Sequence, residues 1–101
     1  MEPTKKDQTE KDNPLLSAFK LLTEMNNQVD ALTSHHADVS LTTRNGYVLI
    51  FMFRWIIRGR AYQWMYQMSV SDLEQLTYVS GLPQYVAYQA VVEFKRELGR
   101  G

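Results

Sequence analysis

The sequence predicts an α+β fold with an N-terminal helix, a three-stranded antiparallel β-meander and two C-terminal helices, in the order α-β-β-β-α-α. Three observations carry this expectation. Apolar residues between Leu15 and Leu32 recur at steps of three and four, the period of one helix face. From Val39 to Met68 the pattern changes to β-prone residues interrupted by Asn45-Gly46 and Arg58-Gly59, both of which read as turns. Beyond Met68 helical spacing returns, punctuated by "SGLP".

Residues 1–13, "MEPTKKDQTEKDN", carry no large apolar side chain after Met1 and are expected to form a flexible polar tail. Residues 14–101 are expected to form a single domain. Asn13 can cap a helix, and Pro14 suits the first helical position, where the missing N–H would have lacked a partner anyway. Leu15, Phe19, Leu22, Met25, Val29 and Leu32 then define the buried face of a helix that stops before "TSHHAD".

Asn45-Gly46 suits a two-residue type I′ turn, because both central residues of that turn need positive φ. Such a turn would set Arg44 opposite Tyr47, Leu41 opposite Ile50 and Val39 opposite Met52. A turn at Arg58-Gly59 would set Trp55 opposite Tyr62, Phe53 opposite Trp64 and Phe51 opposite Tyr66. A turn at Gly59-Arg60 would move the partners but keep the faces. On this register one face carries Val39, Leu41, Val48, Ile50, Met52, Ile56, Ala61 and Met65, with Arg54, Gln63 and Gln67. The other carries Ser40, Thr42, Tyr47, Leu49, Phe51, Phe53, Trp55, Ile57, Tyr62, Trp64, Tyr66 and Met68. The central strand is thus apolar on both sides, so either both faces are covered or one of them binds something.

After Met68, Ser71 and Glu74 have the spacing of a capping box for a short helix bearing Leu73 and Leu76. Gly81 is available for a left-handed cap and Pro83 opens the last helix. That helix places Val86, Ala90, Phe94 and Leu98 on one face and is expected to end at Gly99.

Composition narrows the function classes. The formal net charge of zero gives no global field towards nucleic acid or an acidic membrane. The absence of cysteine excludes a disulfide framework, a thiol nucleophile and a thiolate metal site. The longest apolar run, Tyr47 to Ile57, is eleven residues and contains Arg54, whereas a membrane-spanning helix needs roughly 20. Together with a polar N-terminus unlike a signal peptide, this leads to the expectation of a soluble, cytoplasmic protein. Neither a catalytic set nor a metal or cofactor motif is visible. His35-His36 are adjacent without further ligands at suitable spacing, and the glycines sit in separate turns rather than in a phosphate loop.

What remains is an aromatic and arginine-bearing middle. Residues 38–69 hold Arg44, Arg54, Arg58 and Arg60 against Asp38 alone, a net charge of +3. The aromatic face has three readings: core, partner or dimer interface, and nucleic-acid platform. Phe51, Phe53, Trp55, Tyr62, Trp64 and Tyr66 are the candidate partner-binding or dimer surface. The favoured function is a non-catalytic interaction or regulatory protein that binds another macromolecule, in the first instance a protein, and forms a homodimer. Small accessory proteins of phages and mobile elements have similar size and composition.

The alternative is a nucleic-acid-binding regulator. Its contacts would be Arg44, Arg54, Arg58 and Arg60 on the hairpins, or Gln84, Tyr85, Tyr88 and Gln89 at the start of the last helix if the C-terminal pair acts as a helix-turn-helix. Against it, the presumed reading helix has no Lys or Arg before Lys95, and phosphate contacts dominate DNA affinity. The α-β-β-β-α order is also that of double-stranded RNA-binding domains. Those domains bring a basic cluster to the start of their last helix, however, and here that stretch reads "PQYVAYQAV".

Overall fold

The two helical stretches and the strand-forming middle become six elements in a computed structural model that describes residues 14–76 and 81–100. They are α1 (Pro14–Leu32), β1 (Asp38–Arg44), β2 (Val48–Ile57), β3 (Arg60–Ser69), α2 (Val70–Leu76) and α3 (Leu82–Arg100). The sheet is an antiparallel meander in the order β1-β2-β3. The fold is therefore the expected α+β arrangement. The expected tail at 1–13, the Asn13 cap and Ser80 lie outside the described residues.

The second hairpin has the anticipated register. Arg58 and Gly59 take φ of 54° and 81°, and Ile57 pairs with Arg60, Trp55 with Tyr62, Phe53 with Trp64 and Phe51 with Tyr66. The first hairpin differs by one residue. Asn45 and Gly46 do take the positive φ that the sequence demands, and the Tyr47 N–H donates to the Arg44 carbonyl at 3.3 Å. Yet Arg44 pairs with Val48, Leu41 with Phe51 and Val39 with Phe53. Tyr47 is an extra, bulged residue, and its carbonyl accepts a 2.9 Å hydrogen bond from the Val70 N–H where α2 begins.

A one-residue slip flips a strand's side chains to the opposite face. Val39 and Leu41 consequently lie with Phe51 and Phe53, packed against the core. Ser40 and Thr42, expected on the aromatic face, point to the other side with Met52 and Ile50. The slipped register places the apolar residues of β1 over the core and its hydroxyls in water, which the two-residue turn would have reversed.

Both long helices cover the aromatic face. Ala18, Leu21, Met25 and Val29 of α1 and Val86, Ala87, Ala90, Val91 and Phe94 of α3 join Leu49, Phe51, Phe53, Trp55, Tyr62 and Met68 in one buried cluster. The buried stripe of α1 is rotated from the expected one: Ala18 and Leu21 point inward, whereas Phe19 and Leu32 are exposed. Packing centres on Trp55, whose ring stacks on Phe94 with centroids 4.3 Å apart and planes at 10°. Its Nε1–H donates to the His35 carbonyl at 3.2 Å, anchoring the α1–β1 loop. The His35 ring in turn meets Phe94 edge-on at 5.5 Å.

The short helix α2 starts directly from β3. The Asp72 N–H donates to Ser69 Oγ at 2.9 Å, so Ser69 is the cap and Ser71 already lies inside the helix. The expected Ser71–Glu74 box is thus displaced by two residues; the Glu74 side chain lies outside the described residues. Gly81 has φ of 99°, and its carbonyl accepts the Tyr85 N–H at 2.9 Å, starting α3. The helix continues through Gly99 to Arg100 instead of ending at the glycine.

Candidate interaction surface

With both long helices on one side of the sheet, no element among the described residues covers the opposite side. It is built by alternation along three strands: Asp38, Ser40, Thr42 and Arg44 from β1, Val48, Ile50, Met52, Arg54 and Ile56 from β2, and Ala61, Gln63, Met65 and Gln67 from β3. Cross-strand pairing sets Met52 beside Met65 and Ser40, Arg54 beside Gln63 and Asp38, and Ile56 beside Ala61. Ile50 is buried among its neighbours, but Ile56 is 59 % and Met65 47 % exposed. Scattered exposed apolar side chains are ordinary; Ile56 and Met65 on one sheet face, with half-buried Met52 beside Met65 and arginine as the sole charge of the central strand, form a patch.

The six aromatic residues expected to form a partner surface lie on the other side, and most are inside the chain. Phe51, Phe53 and Trp55 are fully buried and Tyr62 nearly so. In a single chain these four are core, because α1 and α3 pack over them. Trp64 and Tyr66 are half-buried towards the β3 edge, with rings stacked 6.5 Å apart. Burial first, then the negative charges of Asp72 and ionised Tyr85, raises the Tyr66 phenol above its ordinary pKa.

All four middle-region arginines are exposed, and among the described residues no carboxylate lies within ion-pair distance of any of them. The ion pairs among the described residues are Arg96–Glu93 and Arg100–Glu97, and His36 Nδ1 lies 3.5 Å from Asp30 Oδ1. The fold does not gather the four: Arg44 ends β1 beside Val48, Arg54 lies mid-sheet on the uncovered face, and Arg58 and Arg60 occupy the far turn. Arg60 sits over the Tyr62 ring, 5.1 Å from its centroid.

Of the other nucleic-acid candidates, Gln84, Tyr85 and Tyr88 are exposed on α3, and Gln89 is half-buried. The C-terminal helices do not stand as a unit of their own. The start of α3 is embedded through Leu82, Pro83, Val86 and Ala87 in the common core, where α3 packs on α1 and β3.

Two clefts open on the helix side near the second turn. Trp55, Tyr62, Gln63, Trp64, Glu93, Phe94 and Glu97 line a small one of about 120 Å³. His35, Ile57, Arg58, Arg60, Tyr62 and Leu98 line a larger one of about 560 Å³. Among the described residues no group of three or more His, Asp or Glu side chains is arranged to hold a metal ion. No helix among them is long and apolar enough to cross a membrane. Comparison with known protein families, curated proteins and solved structures finds no match.

The uncovered aliphatic patch was half-visible in the sequence. Alternation along β2 showed two apolar sides, and the described residues include two long helices to cover them. The larger cleft left no such signal, because its residues come from the α1–β1 loop, the second turn and the end of α3.

Proposed function

We propose that the chain is a non-catalytic interaction or regulatory protein that binds another protein through the uncovered face of its sheet. The observation that supports this reading is the run of half-buried Met52 and exposed Arg54 and Ile56 on β2 beside exposed Met65 of β3. Methionine and arginine are enriched at protein interfaces, whereas lysine, glutamate and aspartate are depleted there; the strands of this face carry no Lys or Glu, and Asp38, at the start of β1, is their one acidic residue. Arg54, with no ion-pair partner among the described residues, calls for a carboxylate on the partner next to an apolar patch. The surface is therefore different from the aromatic one that the sequence suggested, and the aromatic side chains serve as its rigid backing.

A homodimer would use the same face, with the two sheets stacked about 10 Å apart. The test is light scattering on the wild type and on Ile56→Lys at tens of micromolar, together with site-specific photo-crosslinking from position 65. Crosslinks to one protein that Ile56→Lys abolishes while leaving the melting temperature unchanged support the reading. A chain that stays monomeric and gives no discrete crosslinked product in its native extract refutes it. The nucleic-acid alternative draws its support from the unpaired arginines; it requires binding that falls steeply with salt and weakens when Arg58 and Arg60 are replaced together.

A further inference from the structure

We infer that the cleft at the β2–β3 turn is a binding site for a phosphate monoester carried on an apolar or planar body. The cleft, about 560 Å³, is lined by His35, Ile57, Arg58, Arg60, Tyr62 and Leu98. That size is in the ordinary range for small-molecule sites, roughly 300–1,000 Å³, and so is the mixture of apolar walls with a few converging polar groups.

The two arginines of the lining carry the same charge, and among the described residues no acidic residue lines the cleft. Arg58 and Arg60 flank the turn, and neither has a carboxylate within ion-pair distance among the described residues. His35 and Tyr62 add an imidazole and a phenol to the lining. Guanidinium groups offer paired N–H donors that match phosphate and carboxylate oxygens, and two of them suit a dianion better than a single carboxylate. Glu93 and Glu97, the acidic residues on the nearest helix face, line the smaller cleft, and Arg96 and Arg100 hold them at 3.0 Å and 3.3 Å.

Several of these groups are held in place before any ligand arrives. Arg60 lies against the Tyr62 ring at 5.1 Å. His35 is fixed twice, by its ring against Phe94 at 5.5 Å and by its carbonyl accepting the Trp55 indole N–H at 3.2 Å. The turn residues Arg58 and Gly59 take the positive φ values of a tight two-residue turn, which fixes the backbone from which Arg58 projects. Ile57, Leu98 and the Tyr62 ring supply the surface for the ligand's body. The site is on the helix side of the sheet, away from the Ile56 and Met65 patch, so it stands or falls independently of the proposed protein interface.

The test is a ¹H–¹⁵N titration of the full-length labelled chain at fixed ionic strength with phenyl phosphate, inorganic phosphate and benzoate. The expected result is saturable shifts at the amides of His35, Arg58, Gly59 and Arg60 with phenyl phosphate, and binding at least about tenfold weaker for the other two probes. Arg58→Gln and Arg60→Gln should each weaken phenyl phosphate about tenfold or more, the loss expected for a charged hydrogen-bonding group. Arg44→Gln, at the other end of the sheet, should leave it unchanged. Shifts that never saturate, that spread equally to Arg44 and Arg54, or that survive both turn substitutions would overturn the inference. Equal affinity for benzoate would overturn the phosphate assignment, and equal affinity for inorganic phosphate the role of the apolar wall.

Discussion

Replacing Trp55 distinguishes a core tryptophan from a binding one. Its side chain is 1 % exposed, stacks on Phe94 at 4.3 Å and donates its indole N–H to the His35 carbonyl at 3.2 Å. Trp55→Phe keeps an aromatic ring but deletes the donor, worth about 0.5–1.5 kcal/mol. It also leaves part of the indole volume empty, so the expected loss is about 2 kcal/mol in all. Trp55→Ala should cost about 3–5 kcal/mol, a large share of the 5–15 kcal/mol typical of a domain. Urea denaturation followed by circular dichroism and by Trp64 fluorescence reads both values, with the slope expected to match the wild type. A double-mutant cycle with Phe94→Leu should show about 0.5–1.5 kcal/mol of coupling from the stack. If Trp55→Ala left stability within about 1 kcal/mol of wild type, the placement of the aromatic face beneath the helices would be refuted.

Three further substitutions test the local structure. Leu41→Lys should cost about 2 kcal/mol and Thr42→Lys less than about 0.5 kcal/mol in urea midpoints; the reverse order would restore the two-residue first turn. Ser69→Ala should lose about 1 kcal/mol by removing the cap of α2, whereas Ser71→Ala should lose little, both read by thermal melting. Because burial, with Asp72 and Tyr85, raises the Tyr66 phenol, folding favours its neutral form. Stability from that site is therefore complete below the ordinary tyrosine value of about 10 and falls as pH rises through the raised value. Urea midpoints between about pH 9 and 11 should show this fall in the wild type and a smaller one in Tyr66→Phe.

The sequence by itself determined the order of the elements, the second hairpin and the side of β2 on which the aromatic residues lie, since each follows from a local period or turn. Asn45-Gly46 likewise predicted its own positive φ values. It could not predict the bulge at Tyr47, because that residue is held by Val70 from beyond β3 and by the burial of Val39 and Leu41 against helices far along the chain. The same limit applied to α1, where Leu15, Leu16, Phe19, Leu21 and Leu22 make the apolar stripe broad at its start and the partner surface decides that Ala18 and Leu21 turn inward while Phe19 stays outside. It applied again to the candidate sites. An apolar strand with two apolar sides cannot indicate which side its helices will choose; the side with the larger aromatic side chains took both, leaving Ile56 and Met65 exposed. The arginine cleft exists only because tertiary packing brings His35, the second turn and Leu98 together. Local periodicity fixes which way neighbouring side chains point relative to one another, whereas which face is buried is settled by contacts between segments distant in sequence.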